Sequence, residues 1–396
     1  MSERKMKILI VDDDENITRY LLRVLRISGY EIKVANSGKN GLEIINREHI
    51  DLIISDMLMP EMSGNTFLSI IKKSYPDIIR VILSGDQEYD NIIKAVADGT
   101  AQSCLTKPIS NNNLKMHIAK LFKTFRLLHQ ENTYNIIKNN QCMQVLPSMY
   151  NRLSSLFEKE TNVEEIVDYI SNQPDYAAKI LQIANSSMHG SNIGSVSQAI
   201  KYLGLETIKQ LVTGTDVFRS FISDNINRDE LSLMWSHSRM TNRYFHAIYH
   251  HIHGKTVPDI YNCCGLLHDT GLRLMIKQFP EQYRKLMDLI KKDKMILEKA
   301  EYEVFGYTHA VLGSCLLQWW NLPVPLIETC LYHHDPLNSA VSNSEICSIL
   351  SIADYFSLKK LGNKDNISFD NNAFAKLGLD ENKIECFLQS INDSDI

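Results

Sequence analysis

The sequence predicts two units of different fold class: an α/β unit built on a doubly wound, five-stranded parallel sheet, followed by an all-α unit. In the first third of the 396 residues, short apolar runs alternate with amphipathic segments of helical length. Beyond about residue 145, only helix-length amphipathic segments occur, separated by Pro, Gly and Asn. At roughly 100–200 residues per domain, the chain is long enough for two or three domains.

Five apolar runs predict the strands of the α/β unit. They are Lys7–Val11, Glu31–Ala35, Asp51–Ser55, Arg80–Leu83 and Ser103–Thr106. Because a helical pattern follows each run, we expect parallel strands with helices covering both faces of the sheet. Sheets of this kind bind ligands beyond the carboxyl ends of their strands, so the polar residues there are the first candidates for chemistry.

The helix after the last strand carries an apolar stripe with the 4-3-4-3 spacing of a coiled coil, at Leu114, Ile118, Leu121, Phe125 and Leu128. Its first half is expected to pack on the sheet, and the part beyond Lys123 is expected to form a linker helix or a dimer seam. The predicted boundaries are 5–123 for the α/β unit, 124–143 for the helical linker, 144–360 for the all-α unit and 361–396 for a C-terminal helical extension or tail.

The predicted helices of the second unit follow the 3.6-residue period of apolar positions. They include Val163–Asn172, Ala177–Ala184, Ser197–Leu203, Thr207–Phe218, Leu231–His250, Asp259–Gln278 and Thr308–Trp320.

Composition argues against several classes of protein. The chain has 42 Lys and Arg against 47 Asp and Glu, a net charge of −5, so no positive field favours binding to nucleic acid. Its eight cysteines include no C-x-x-C pair, which is typical of reduced thiols in a cytosolic protein. No apolar run is long enough for a membrane-spanning helix or a signal-peptide core. We therefore expect a cytoplasmic protein without membrane insertion.

Acidic and polar residues follow four of the predicted strands. Asp12, Asp13 and Asp14 come after the first strand, Asp56 ends the third, Ser84 ends the fourth and Lys107 follows the fifth. Because these loops open onto one edge of the sheet, their side chains are expected to lie together. Clustered carboxylates repel one another unless a cation lies among them, and hard oxygen ligands suit Mg²⁺. The pattern predicts a phosphoryl-acceptor site with an Asp nucleophile.

The residues of this unit resemble the receiver domain of two-component response regulators, which has a flavodoxin-like fold. The matching motifs are Ile8-Leu-Ile-Val-Asp-Asp-Asp14, Asp51-Leu-Ile-Ile-Ser-Asp-Met-Leu-Met-Pro-Glu-Met-Ser-Gly64, Ser84-Gly85 and Lys107-Pro108. The resemblance implies a sensor histidine kinase as the phosphoryl donor.

Site roles follow from the same resemblance. It implies that Asp56 is phosphorylated, that Asp13 and Asp56 bind Mg²⁺ directly with Asp12 acting through water, and that Ser84 and Lys107 contact the phosphoryl group. Family members usually carry an aromatic switch residue three positions before the Lys, where this chain has Cys104. The aromatic switch is therefore expected to be absent or altered.

The second unit contains histidines and aspartates in a recurring order: His237, His268-Asp269, His309, His333-His334 and Asp354. An adjacent His-Asp inside a helix would place two ligands about 100° apart, so that the carboxylate could bridge two ions. The order H…HD…D resembles the HD superfamily of metal-dependent phosphohydrolases. The resemblance implies a metal site, with His309 and either His333 or His334 as candidate ligands of a second ion and Zn, Fe or Mn as candidate metals.

A longer set of motifs resembles the HDOD domain, the HD-related output domain. It comprises Leu146-Pro-Ser-Met149, Gln173-Pro-Asp-Tyr-Ala-Ala-Lys-Ile-Leu-Gln-Ile-Ala-Asn-Ser-Ser187, Ala199-Ile-Lys-Tyr-Leu-Gly204, Gly265-Leu-Leu-His-Asp269 and His309-Ala-Val-Leu-Gly313 with Trp320-Asn-Leu-Pro323. This resemblance implies a signalling or scaffolding module without established catalysis. Cyclic-di-GMP phosphodiesterases of the HD-GYP type would carry Lys at Leu272 and Gly-Tyr-Pro after the paired histidines, so we expect no such hydrolysis.

Two functions stay open from sequence. The first is phosphorylation-controlled signalling, in which Asp56 accepts a phosphoryl group and regulates a non-catalytic HDOD unit that binds a downstream protein, with a homodimer formed through the linker helix. The alternative is a phosphorylation-regulated HD phosphohydrolase acting on a nucleotide or another phosphoester. A buried polar network that fixes helix packing would explain the same histidines without metal.

Overall fold

The computed structural model describes residues 5–85, 89–130, 134–137, 147–158, 162–187, 192–214, 228–362 and 369–391. The chain divides into two compact units. The first contains Met1–Asn140 with Gln182–Ser191, and the second contains Gln141–Leu181 with Asn192–Ile396. Within the described ranges, no helix is both long enough and apolar enough to cross a bilayer.

The first unit contains a five-stranded sheet in the order β2-β1-β3-β4-β5, and every neighbouring pair is parallel. Its strands are β1 Lys7–Val11, β2 Glu31–Ala35, β3 Leu52–Asp56, β4 Ile79–Ser84 and β5 Ser103–Thr106. This order confirms the predicted fold class. Strand β3 extends one residue further than predicted, to Asp56, because Asp56 remains in register with Leu83 of β4.

Helices connect the strands and cover the sheet. They are α1 Glu15–Ile27, α2 Gly38–Arg47, α3 Gly64–Ser74, α4 Tyr89–Ala97 and α5 Asn111–Gln130, followed by the short α6 Tyr134–Ile137. The first three begin where the side chains of Asp14, Ser37 and Ser63 accept hydrogen bonds from backbone N–H groups of the first turn. Strands β1, β3 and β4 are buried on both faces, as expected for a covered parallel sheet.

Only the first half of the apolar stripe on α5 is deeply buried. Leu114, Ile118 and Leu121 are buried, and Phe125 is half-buried. The helix packs against α1, as predicted for the last helix of the sheet. The side chain of Leu128 and most of the predicted linker lie outside the described residues, so the linker and the dimer seam stay predictions.

The second unit is helical throughout its described residues. Its helices are α7 Pro147–Glu158, α8 Val163–Ser171, α9 Pro174–Ser186, α10 Val196–Leu203, α11 Leu205–Gly214, α12 Arg228–His253, α13 Cys264–Leu267, α14 Thr270–Gln278, α15 Pro280–Asp293, α16 Leu297–Phe305, α17 His309–Trp319, α18 Val324–Tyr332, α19 Ser344–Lys360, α20 Asn372–Leu377 and α21 Glu381–Ser390, with a 3₁₀ turn at Asp259–Tyr261. The predicted end of the helix at Thr207–Phe218 lies outside the described residues.

One predicted helix is wrong. The segment Asp259–Gln278 is not continuous, because it contains the 3₁₀ turn, α13 and α14, with His268 and Asp269 between the two helices. The chain leaves the helical conformation at Asp269, whose φ of −96° and ψ of 19° separate the two helices. The His-Asp pair therefore lies at a helix junction rather than inside a helix.

Glycines bring the neighbouring helices close to this junction. A Cβ at Gly265 would lie 2.3 Å from Asn242 Cα of α12, and a Cβ at Gly271 would lie 1.9 Å from His309 O of α17. Such distances are impossible for any other residue unless a helix moves. The elements that carry the histidines are consequently packed directly against the His-Asp junction.

Candidate functional site

The parallel sheet gathers the predicted phosphoacceptor residues at the carboxyl end of its strands. Asp12 follows β1 and Asp56 ends the neighbouring β3, whereas Lys107 follows β5, which β4 separates from β3. The Lys107 ammonium lies 3.0 Å from Asp12 Oδ2 and also donates to Asp56 Oδ1. One cationic side chain therefore links both carboxylates.

Backbone amides hold the remaining carboxylate oxygens. Asp12 Oδ1 accepts from Asp14 N–H at 2.9 Å, and Asp56 Oδ2 accepts from Leu58 N–H at 2.8 Å. Burial raises the pKa of Asp12, against the lowering effects of that amide and of Lys107. Burial also opposes the charge of Lys107, but its hydrogen bonds to Asp56 and Asp12 outweigh burial and raise its pKa.

The other predicted residues of this site differ in exposure. Asp13 is exposed beside the buried Asp12, and Ser84 is buried at the end of β4, where its hydroxyl donates to Gly85 O at 3.3 Å. Asp12, Asp13 and Asp56 offer carboxylate oxygens of the kind that Mg²⁺ prefers. Because backbone amides fix two of these carboxylates, the donor set fits such an ion.

Gly64 is required next to Asp56. A Cβ there would lie 1.8 Å from Asp56 O, and Gly64 N–H donates to Met57 O at 3.0 Å. We expect Gly64→Ala to lower the free energy of unfolding of the first unit by about 1–3 kcal/mol through overpacking. Chemical denaturation measures this loss. Gly85→Ala is the matched control, because nothing lies within 4 Å of a Cβ at that position. Equal stability of the two variants would contradict the steric argument.

The histidines and aspartates predicted in the second unit all reach one buried cluster, which we call the His-Asp cluster. Five structural elements supply it. His237 comes from α12, His268 and Asp269 from the α13–α14 junction, His309 from the first turn of α17, His333 and His334 from the residues after α18, and Asp354 from α19.

The first half of the His-Asp cluster contains two imidazoles and two carboxylates. Nε2 of His237 and Nε2 of His268 lie 3.3 Å apart. Asp269 Oδ2 lies 3.2 Å from each of these nitrogens, and Asp354 Oδ1 lies 3.0 Å from His237 and 3.3 Å from His268. Four ligand atoms therefore surround one point.

The second half contains three imidazoles. Nε2 of His309 lies 3.2 Å from Nε2 of His333 and 3.2 Å from Nε2 of His334. The other oxygen of Asp269, Oδ1, lies 3.4 Å from His309 Nε2 and 3.7 Å from His333 Nε2. Asp269 thus presents one oxygen to each half, which is the arrangement of a carboxylate bridging two ions.

Hydrogen bonds at the opposite nitrogens fix the tautomers. Nδ1 of His268 lies 2.8 Å from Gly265 O, and Nδ1 of His333 lies 2.8 Å from Cys330 O. Nδ1 of His309 lies 2.7 Å from the Glu301 carboxylate. Since these oxygens only accept, each Nδ1 carries the hydrogen, and a neutral ring points its Nε2 lone pair into the cluster.

His237 follows the same rule through a hydroxyl group. Its Nδ1 lies 2.8 Å from Ser357 Oγ, and that hydroxyl donates to Asp354 O at 3.0 Å. The Ser357 oxygen is therefore free to accept from His237. Lone pairs that face one another at about 3.2 Å repel unless a cation or a proton lies between them.

Protons can supply that positive charge when metal is absent. Burial alone would lower the pKa of His268, but Asp269 and Asp354 raise it to about 10. Burial acts likewise on His309, whose pKa Glu301 and Asp269 raise to about 9. Burial and the adjacent imidazoles hold the pKa of His333 well below its ordinary value. Both a metal pair and a protonated network therefore fit the contacts, and the imidazole and carboxylate donors suit Zn, Fe or Mn.

Two groups next to the cluster were not predicted. Glu301 is fully buried against His309, and Glu298 lies 3.7 Å from Nδ1 of His334 through Oε1. A buried network centred on Arg273 also contacts the residues next to two ligands: Ser238 after His237, and Thr270 after Asp269. The available sequence signal was a charged residue on an apolar helix stripe, since Glu301 falls between Leu297 and Val304 at 4-3 spacing.

The strand order and the acid cluster together define a receiver-type α/β domain, and the second unit is an HD-type helical domain. Comparison with protein families agrees. The response regulator receiver domain matches residues 8–119, and the HDOD domain matches residues 143–336. The chain therefore contains a response regulator receiver domain followed by an HDOD domain. Asp354 lies beyond the matched HDOD range.

Individual relatives cover parts of the chain. The transcriptional regulatory protein GlrR of Escherichia coli (strain K12) is 36% identical over 114 residues, 29% of this chain and 26% of GlrR. An uncharacterized protein of Treponema pallidum (strain Nichols) is 25% identical over 213 residues, 53% of this chain and 41% of that protein. The chain thus spans well under two thirds of these relatives. A receiver domain protein structure from Clostridium thermocellum has 35% identity and a TM-score of 0.30, covering 31% of this chain and 98% of that one.

Proposed function

We propose that Asp56 accepts a phosphoryl group from a sensor histidine kinase and that this event controls the output of the HDOD domain. The contact of Lys107 with both Asp12 and Asp56 carries the proposal, because it places a fixed positive charge beside the nucleophile. Asp12, Asp13 and Asp56 would hold Mg²⁺, which when bound neutralises negative charge on the phosphoryl oxygens. Ser84 offers a hydroxyl group to the transferred group.

The test uses a small phosphodonor, acetyl phosphate, with Mg²⁺ and intact-mass measurement. We expect the unaltered chain to gain one phosphoryl group and Asp56→Ala to gain none, since the nucleophilic carboxylate is gone. Asp77→Ala, which changes an exposed aspartate of the same domain, serves as the control and should react like the unaltered chain. Equal labelling of Asp56→Ala would show that another residue is the acceptor.

We further propose that the HDOD domain of this chain binds two divalent metal ions and hydrolyses a phosphoester. The observation that favours this function over a purely scaffolding role is the position of Asp269, whose two oxygens face separate groups of imidazole nitrogens. A protonated network also pairs the two oxygens of Asp269 with His268 and His309, but two ions would in addition take the inward-facing lone pairs of the other three imidazoles.

Each residue of the His-Asp cluster has a part in this proposal. His237, His268 and Asp354 would hold one ion, His309, His333 and His334 the other, and Asp269 both. When bound, such a pair of ions polarises a phosphoryl group and lowers the pKa of water. Because Leu272 replaces the Lys of cyclic-di-GMP phosphodiesterases and the Gly-Tyr-Pro motif is missing, we propose a nucleotide or another phosphoester as the substrate.

A further inference from the structure

We propose that helix α16 is the outer shell of the second metal position, and that Glu301 and Glu298 compensate the charge of the ion there. This inference rests on the proposed metal function. It assigns to both glutamates a positioning role, because they act through the imidazoles of His309 and His334.

Both carboxylate oxygens of Glu301 form hydrogen bonds with His309. Its side chain is 0% exposed, Oε1 lies 2.7 Å from Nδ1 of the imidazole, and Oε2 accepts from the His309 backbone N–H at 3.0 Å. The backbone bond fixes where α17 begins, and the imidazole bond fixes the tautomer and the plane of the ring. A carboxylate behind a ligating imidazole also raises the basicity of the ligand nitrogen.

Glu298 lies three residues earlier, on the same face of the helix. Its Oε1 is 3.7 Å from Nδ1 of His334. Its Oε2 is buried and has no hydrogen-bond partner in the described part of the chain. The side chain as a whole is 21% exposed, but this oxygen is withdrawn from solvent, and a positive charge at the second metal position would offset the cost of burying it.

Charge balance explains why two more carboxylates are present. Two divalent ions would bring four positive charges into a buried site, and the carboxylates of Asp269 and Asp354 supply two negative charges. The five imidazoles are neutral when they ligate. An excess of two positive charges would remain in a low-dielectric interior, and Glu298 and Glu301 match it in number.

The two metal positions differ in where their negative charge lies. The first has Asp269 and Asp354 close to both of its imidazole nitrogens, whereas the second has three imidazoles and Asp269, and of these three only His333 also groups with Asp354, within 4.8 Å. Its further charge reaches the ion indirectly, through His309 and His334. Loss of negative charge on α16 should therefore lower the metal affinity of the second position and leave that of the first unchanged.

The experiment titrates metal-free full-length protein with Co²⁺, following bound metal by equilibrium dialysis and ligand geometry by visible absorption. The unaltered chain should bind two ions. Glu301→Gln should bind the first ion as before and the second about 10- to 100-fold more weakly. Glu298→Gln should also lower the affinity for the second ion. The control is Glu303→Gln, which changes an exposed glutamate of the same helix and should leave the affinity for both ions unchanged.

Three results would overturn the inference. Two ions bound at unchanged affinity in both Glu301→Gln and Glu298→Gln would show that the α16 charge is irrelevant. If both variants bound both ions more weakly to the same extent and also lost helical circular dichroism, the role of the two glutamates would be purely structural. An unaltered chain that binds no Co²⁺ would remove the proposed metal function itself, whereas the first two results leave that function standing.

Discussion

Replacing Asp269 with asparagine is expected to remove both proposed metal ions from the HDOD domain and to abolish the proposed phosphoester hydrolysis. The carboxylate presents one oxygen to His237 and His268 and the other to His309 and His333. Asparagine retains one oxygen and loses the charge. Since changes behind a ligand already cost about 10- to 100-fold in metal affinity, the loss of a shared ligand should exceed about 100-fold at each position.

Metal content after dialysis is measured by mass spectrometry, and hydrolysis with bis(p-nitrophenyl) phosphate and a panel of nucleotides. The matched control is Asp335→Asn, which changes an exposed aspartate directly after the paired histidines and should keep both metals. If the unaltered chain contains no stoichiometric metal and cleaves none of these compounds, the cluster is a hydrogen-bonded packing network and the HDOD domain is a non-catalytic output module. Cleavage of cyclic-di-GMP lost in Asp269→Asn would correct only the substrate class.

The fold of the receiver domain could be read from sequence because its strands are short, buried and bounded by polar residues. Three of the five predicted strands coincide with the observed ones, and the other two differ by one residue at each end. A strand buried on both faces is a continuous apolar run, and the pattern of residues alone marks where it stops. The carboxyl ends then place Asp12, Asp56 and Lys107 together without any knowledge of side-chain packing.

The break at His268 could not be predicted in the same way. Gly265-Leu-Leu-His-Asp-Thr-Gly271 has the apolar periodicity of one helix, yet the chain leaves the helical conformation at Asp269, between two glycines that lie directly against neighbouring helices. Those contacts are tertiary and leave no sign in the periodicity. The order of the ligands along the chain predicted their gathering, but not the division of five imidazoles into two groups around Asp269.

Glu301 was missed for a related reason. A charged residue on the apolar stripe of a helix is a signal of buried function, yet the sequence does not show which group it meets. The turn between α16 and α17 places it against His309, eight residues later. The helical period predicts which face of the helix a residue lies on. Which side chain it contacts depends on the turn that sets the direction of the next helix.

The buried arginine of α14 is expected to contribute strongly to the stability of the HDOD domain. Arg273 donates to Ser238 Oγ at 3.0 Å and to Thr270 Oγ1 at 2.9 Å, and its Nε lies 3.4 Å from Asp175 Oδ1. Asp175 Oδ2 accepts from Trp235 Nε1–H at 2.9 Å. The guanidinium group therefore joins α9, α12 and α14 beside the ligands His237 and Asp269.

Arg273→Met is expected to lower the free energy of unfolding of the HDOD domain by about 3–5 kcal/mol, because it removes the guanidinium charge that faces the buried Asp175 carboxylate. Chemical denaturation of the full chain, followed by tryptophan fluorescence, resolves this transition. Arg284→Met, which breaks an exposed pair with Glu281, should cost at most about 1 kcal/mol. Adding Asp175→Asn should recover part of the lost free energy of unfolding, because the carboxylate charge that faced Arg273 is then removed as well. Additive losses in the double variant would show that burial of the arginine stem, rather than the ion pair, stabilises the helix junction.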